Sequence, residues 1–367
     1  MPRLLLLTAD YFMTILRMNA DINNLSTLRW LVTGGAGFIG LHLVEALLSQ
    51  GQEVVVLDNH VTGSRVTLKR LGAGLDPNSP ARLEMIEGDI RDISVCRAAV
   101  QGCHHVLHHA ALGSVPASVA DPATTHAVNE GGFLNILLAA RDAGVKSVVF
   151  ASSSAVYGDD SADVKREGQT GRVLSPYAAG KRANELQAEA FSACFGLPTV
   201  GLRYFNVYGP RQDPAGPYAA VIPVWLTTLV QGRKLKINGD GSTSRDFCFV
   251  ADVVQANLRA ALCGAPVGAQ VFNIGSGQRT TLNDLLAALQ HGLRAVGLPG
   301  TSQITHGPFR AGDILHSLAE ITRAKEALGF APAYDLKAGL AYTIGAWCSK
   351  TSGMRTAVQK SATVLAG

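Results

Sequence analysis

The chain has 367 residues, enough for two or three ordinary domains at ~150 residues each. Hydrophobic residues make up 47% and charged residues only 16%, so a large core can form and a disordered, solvated chain is excluded. The net charge of +4 is spread along the chain with no basic stripe, which argues against a nucleic-acid partner.

Residues 1–27 read as an N-terminal extension, with Met18 an alternative start. The apolar run from Leu4 to Leu7 is far short of the ~18 residues of a membrane helix. Asp10 follows it and no small-residue cleavage site is evident, so neither a membrane anchor nor a signal peptide is expected. From Trp30 a strand-then-helix rhythm runs for about 170 residues. Predicted strands cover 30–32, 54–57, 83–86, 106–109 and 148–152, and helices cover 38–49 and 124–143. Short apolar strands alternating with helices predict an α/β fold, a doubly wound parallel sheet of the Rossmann kind. After Tyr204 the rhythm breaks. A loop at 209–214 precedes helical patterns at 219–231, 252–262, 281–296 and 319–328, and a strand at 271–274 is placed to rejoin the large sheet. The expected organisation is a nucleotide-binding domain over 28–204 with a returning segment near 269–275, a smaller, mainly C-terminal substrate-binding lobe over 205–345, and a tail over 346–367. The six cysteines (Cys96, Cys103, Cys194, Cys248, Cys263 and Cys348) show no C-x-x-C pair, which suits a reducing cytoplasm and offers no zinc site.

VTGGAGFIG places Gly34, Gly37 and Gly40 between the first strand and the first helix. Gly34 permits a tight turn, Gly37 lets backbone approach a pyrophosphate, and Gly40 lets the helix pack on the sheet. Asp58 ends the next strand, where a carboxylate accepts hydrogen bonds from an adenosine ribose and repels a 2′-phosphate, so NAD is favoured over NADP. Asp89 ends the third strand and suits either an adenine amino group or a helix cap.

Tyr177 and Lys181 lie four apart behind Ser175-Pro176, a helix start, and so share one helix face. A lysine ammonium beside the phenol, with a nicotinium ring nearby, would lower the tyrosine pKa and make Tyr177 a general base. Such a pair alone is usually a solvated helix face. The hydroxyl cluster Ser152-Ser153-Ser154 at the end of the fifth strand, where sites of open α/β sheets lie, gives it weight. His104, His105, His108 and His109 cluster in sequence, but two end a buried strand and none has helical ligand spacing, so no metal is expected.

With these motifs in order, the chain resembles the extended short-chain dehydrogenase/reductases, and among them the UDP-hexose 4-epimerases that act on UDP-N-acetylglucosamine. The resemblance covers about residues 28–345 and rests on VTGGAGFIG, GDIRD, HHAALGSVP, SSSAVYGD, SPYAAGK, RYFNVYGPRQDP, NGDGSTSRDF and RAGDILHSLAEI. It implies Ser153, Tyr177 and Lys181 as the catalytic set. It also implies NAD held by the glycine loop with Phe38 and Ile39, by Asp58, Asn59, Asp89 and Ile90, by Ala110, Ala111 and Asn129, and by Ser152, Tyr177, Lys181 and Tyr204. For the substrate it implies Gly113, Ser114, Ser153, Asn206 and Ser317 around the sugar. Arg245, Arg310 and Asp313 fall at the uridine diphosphate, and Ala220, Val221, Trp225 and Asn238 in the nucleotide pocket. The resemblance further implies a homodimer pairing the helices at 124–143 and 176–195, and a place in surface polysaccharide synthesis.

Related dehydratases and decarboxylases carry acidic residues just after the active-site hydroxyl, where this chain has Ser154 and Ala155. Epimerases restricted to UDP-glucose and UDP-galactose carry a tyrosine where this chain has Ser317, so N-acetylated UDP-hexoses are expected as substrates. A helix cap just before Leu318 is the plainer role for that serine. The alternatives are an epimerase of UDP-glucose/UDP-galactose or UDP-hexuronates, or a non-catalytic NAD- and nucleotide-sugar-binding protein.

Overall fold

The computed structural model describes residues 26–214, 219–264, 269–309 and 314–349. Seven parallel strands form the central sheet: β1 (Arg29–Thr33), β2 (Glu53–Asp58), β3 (Arg82–Glu87), β4 (His105–His108), β5 (Ser147–Ser153), β7 (Thr199–Tyr204) and β10 (Gln270–Ile274). Their order is β10-β7-β5-β4-β1-β2-β3, so the chain starts in the middle, winds to one edge, returns and winds to the other. This is the doubly wound Rossmann architecture expected, and the strand at 270–274 does rejoin the sheet, paired with β7.

The inner strands are apolar runs because both faces are covered, whereas the edge strand β3 alternates charged and apolar residues and is largely exposed. Alternate side chains point to opposite sides, and the core divides accordingly. Trp30, Val32, Val54, Val56 and Val149 join one apolar cluster with α1 (Phe38–Ser49) and α9 (Val250–Leu262). Leu31, Val55, Leu57, Val148 and Phe150 join the other, with α3 (Ile93–Val100), α6 (Gly132–Asp142) and α7 (Pro176–Phe195). Three layers result. The helix expected over 124–143 is in fact α5 (Pro122–His126), a wider turn at Ala127–Gly131 and then α6. It starts early because the Asp121 carboxylate caps it through the Thr124 N–H, with Pro122 at the first helical position.

Smaller strands that the sequence pattern does not disclose finish the other side of the cleft. β6 (Val164–Lys165), β9 (Ser244–Arg245), β11 (Thr280–Thr281) and β13 (His316–Ala319) form one sheet, in the order β11-β9-β13-β6. β8 (Leu235–Asn238) pairs with β12 (Ile304–Gly307). Ser317 stands opposite Arg245 in the β13–β9 pairing, and the next helix, α11 (Thr322–Leu328), begins only five residues on. Ser317 is therefore a strand residue and caps no helix, which corrects the plainer reading. The remaining helices are α2 (Arg65–Ala73), α4 (Val115–Ala120), α8 (Val221–Val230), α10 (Leu282–Ala295) and one over 336–349. Among the described residues no helix is long and apolar enough to cross a membrane.

Candidate functional site

The site lies across the C-terminal ends of β1, β4, β5 and β7, where the strand order reverses. Three cavities lie along it. One of about 180 Å³ is lined by Asp58, Asn59, Asp89 and Ile90. It shares Gly34, Gly37, Thr62, His109, Ala111 and Leu112 with a central cleft of about 1270 Å³. The cleft in turn shares Asn206, Val207, Ala219, Ala220 and Arg245 with a third cavity of about 420 Å³. Together they make one trough.

At the first end the glycines divide their work as expected. Gly34 has φ of +68°, and a Cβ there would fall 2.6 Å from the Ala110 nitrogen. A Cβ on Gly40 would run into the Gly34 carbonyl. Gly37 differs, since a Cβ would meet only the Gly34 oxygen at 3.2 Å, and Gly37 lines the trough. No side chain caps α1, and Phe38, Ile39 and Gly40 line the cleft, so the first N–H groups of the helix face a place for an anion. Asp58 is buried at the end of β2, accepting from the Ala36 N–H at 2.9 Å and the His60 N–H at 2.7 Å. A pyrophosphate cradle beside a fixed carboxylate fits a dinucleotide with a free ribose diol. Asp89 is held down to about 2, chiefly by the Arg91 guanidinium, and also accepts from Asn59. The cap of α3 is Asp92, which removes the cap role from Asp89.

In the central cleft, β5 delivers Ser152 and Ser153, and the first two turns of α7 deliver Tyr177 and Lys181. Ser153 accepts from the Ala155 N–H at 3.1 Å, opening a tight turn over Ser154–Tyr157. Lys181 is buried and donates to the Ala151 carbonyl at 2.7 Å, its Nζ 6.0 Å from the centre of the Tyr177 ring. Burial pushes the Lys181 ammonium down to about 8, against the pull of Glu185 one turn on. Burial pushes the Tyr177 phenol up, opposed by its hydrogen bond with Ser153. The lowering expected from lysine and nicotinium together is thus not seen in the chain by itself, where burial sets the direction and Ser153 is what opposes it. Behind these groups Ser152 donates to Glu185, which grips the buried Arg203 through two 2.8 Å bonds.

Most expected site residues line the trough. Gly113, Ser114, Tyr204, Asn206, Ala220, Arg245 and Ser317 face the central cleft, Ala110 and Ala111 the first cavity, and Val221, Trp225 and Asn238 the third. Asn129 does not. Its amide is occupied by both backbone groups of Leu112, so it braces the wall from behind instead of meeting a ligand. Arg310 and Asp313 lie outside the described residues. The motif reading passed over Thr62, Gln212, Asp213 and Lys236, which also line the trough. His109, read only as a metal candidate, stacks on Tyr204 with Nε2 2.9 Å from its hydroxyl. His109, in the HHAA segment, and Gln212 and Asp213, in RYFNVYGPRQDP, carried a signal that could have found them, whereas Thr62 and Lys236 lie outside the quoted motifs.

A profile of the NAD dependent epimerase/dehydratase family matches residues 30–275. The chain belongs to that family. It is 39% identical over 319 residues to the UDP-glucose 4-epimerase of Mycolicibacterium smegmatis, which covers 86% of this chain and 97% of that one. Its fold is similar to the UDP-glucose 4-epimerase of Thermotoga maritima crystallised with UDP-glucose, with a TM-score of 0.79 and 34% identity over 88% of this chain and 100% of that one. It is equally similar to a UDP-N-acetylglucosamine 4-epimerase from Methanobrevibacter ruminantium in complex with UDP-N-acetylmuramic acid, with a TM-score of 0.79 and 34% identity over 89% and 100% of the two chains. NAD is the cofactor of the family, and the cradle around Gly37 and Asp58 suits it.

Proposed function

We propose that the protein is a UDP-sugar 4-epimerase that accepts N-acetylated UDP-hexoses. The observation that carries this reading is the meeting of Ser153, Tyr177 and Lys181 midway along a trough with a nucleotide-sized cavity at each end. When bound, NAD supplies the place where the hydride from carbon 4 is held and from which it returns.

The chain's own residues do the rest. Tyr177 Oη takes the proton of the sugar 4-hydroxyl while Ser153 shares the hydrogen bond. The Lys181 ammonium favours the phenolate and holds the nicotinamide ribose. Arg245 secures the diphosphate, so the 4-keto sugar turns about its link to that diphosphate without leaving the cleft. Tyr177 then gives the proton back on the opposite configuration. Ser154 and Ala155 line the cleft beside the hydroxyl and carry no carboxyl group to move a proton at carbon 5, which favours epimerisation over dehydration.

Room for an N-acetyl group is supported by three small wall residues. A Cβ on Gly113 would meet nothing within 4 Å, and Ala220 and Ser317 also face the cleft. The test is a side-by-side assay of UDP-N-acetylglucosamine, UDP-N-acetylgalactosamine, UDP-glucose and UDP-glucuronate, with Ser317→Tyr alongside. The wild type is expected to turn over the N-acetylated pair, and the variant to lose it while keeping UDP-glucose, because a phenol excludes only the bulkier sugar. Equal losses on both would make Ser317 structural. Epimerisation of UDP-glucose alone is the second reading, favoured by the relative at 39% identity. A homodimer fits the exposed Leu134 on α6 and Leu186 and Phe195 on α7, and sedimentation tests it.

A further inference from the structure

We infer that Ser118 is a positioning residue for Tyr177, joining the sugar-side wall of the cleft to the start of the helix that carries the base; the inference rests on the reading of Tyr177 as that base. The first N–H groups of a helix have no partner within it and must find one elsewhere. In α7 nearly all of them are accounted for locally. Pro176 has no N–H. Ala178 donates to the Ser175 hydroxyl at 3.1 Å and Ala179 to the Ser175 carbonyl at 2.9 Å. That leaves the Tyr177 N–H, and it goes to another helix, to Ser118 Oγ at 3.1 Å.

Ser118 is built for that bond. It is fully buried in α4, and its own proton is committed to the Val115 carbonyl at 2.7 Å. With the hydroxyl rotor fixed in that direction, the oxygen's lone pairs are left for Tyr177. The residues just before it, Gly113, Ser114, Val115 and Ala117, line the cleft, whereas Ser118 lies behind them. One hydroxyl therefore sets the wall against the backbone of Tyr177. Any shift of that backbone moves the phenol relative to Ser153, and a misplacement of ~1 Å in a catalytic group costs on the order of 100-fold in rate. Ser118 itself touches neither the cleft nor the reacting atoms.

The experiment compares Ser118→Ala, which removes the acceptor, with Ser118→Thr, which restores a hydroxyl. Three quantities are read: kcat and KM for the UDP-sugar the wild type turns over, the acid limb of the kcat–pH profile, and the Tyr177 phenol titration. That titration is the absorbance difference between each protein and its Tyr177→Phe counterpart, and needs no turnover. Ser118→Ala is expected to lower kcat by ~10-fold or more with KM within about twofold. The acid limb and the phenol titration should both move to higher pH, because the Ser153 bond that opposes burial is weakened. Ser118→Thr should recover kcat. If Ser118→Ala does not fold, Ser118→Cys keeps the shape with a poor acceptor and should show the same changes in smaller measure. Wild-type kcat and an unmoved phenol titration in folded Ser118→Ala, or in Ser118→Cys where the alanine variant does not fold, would overturn the inference, even if thermal stability fell. A wild type that turns over no UDP-sugar would sink the functional reading instead, and the phenol titration would still decide whether Ser118 positions Tyr177.

Discussion

Lys181 sets stability against activity, and Lys181→Met separates the two. The ammonium is buried, donates to the Ala151 carbonyl, and is pushed from 10.5 down to about 8 by loss of water. At ~1.4 kcal/mol for each tenfold change in proton affinity, that depression makes the charged side chain about 3 kcal/mol less comfortable in the folded chain than in the unfolded one. The sign follows from proton binding. Below about pH 8 both states hold the proton and the cost is present in full; between about 8 and 10.5 the unfolded state binds more protons, and stability rises. Methionine removes the charge and leaves the Ala151 carbonyl without its donor, which gives back about 1 kcal/mol. A net gain of about 2 kcal/mol at neutral pH remains. Unfolding of the cofactor-stripped proteins should therefore show Lys181→Met the more stable near pH 7, with the difference closing toward pH 10. Activity should go the other way. The wild-type rate should fall as pH rises through about 8, where the ammonium that favours the phenolate is lost, and the variant should lose ~100-fold or more at every pH. A variant less stable than wild type at pH 7, or a wild-type rate flat to about pH 10, would refute the reasoning.

Tyr177→Phe should keep the fold and NAD but lose at least ~100-fold in epimerisation, since the phenol oxygen is the proposed proton acceptor; turnover near the wild-type rate would move the base elsewhere. Asp58→Ala should weaken NAD retention through purification and relax discrimination against NADP, and equal occupancy of both cofactors in the wild type would contradict the role of this carboxylate. Asp252 is pushed up to about 7 by burial, with Oδ1 accepting from the Ala333 N–H at 2.8 Å and Oδ2 without a hydrogen bond. Its folded form binds the proton more tightly, so stability is lost as pH rises from about 4 through about 7, and Asp252→Asn should flatten that decline in unfolding measured at both ends of the window.

Six of the seven central strands were legible, most of them as short apolar runs covered on both faces, whereas β7 was not singled out and β3 alternates charged with apolar residues at the exposed edge. The glycine turn and the Tyr177–Lys181 pair were legible for a similar reason, since each is a short-range pattern set by backbone geometry. The strands of two to four residues outside the central sheet were not. Ser244–Arg245 and His316–Ala319 are strands only because they meet, and a four-residue segment carries no periodicity to separate a strand from the approach to a helix. The cap offered as the plainer role of Ser317 fails for that reason. The direction of the Tyr177 shift needed the depth of burial, which no spacing contains. The Glu185–Arg203 pair behind Ser152 and Lys181 is likewise invisible until α7 and β7 are packed side by side.

A 4-epimerase must bind firmly enough to keep a keto sugar from escaping and loosely enough to let it turn, and the trough divides these demands along its length. On the nucleotide side the walls are tied down. The buried Asp246 carboxylate accepts from Ser276, Gly277 and Ala319, fixing the turn after β10 and the end of β13 to β9. Arg245 is held against the carbonyls of Ser244 and Leu315 on the same frame. The sugar side is walled by Gly113, Ala220 and Ser317, side chains too short to grip a ring through a half-turn. Binding energy spent on the nucleotide is the same before and after that turn, so it retains the intermediate without favouring either epimer. Contacts to the sugar itself would favour one. On this reading the small residues serve the chemistry twice, admitting the N-acetyl group and leaving the keto sugar free to present either face.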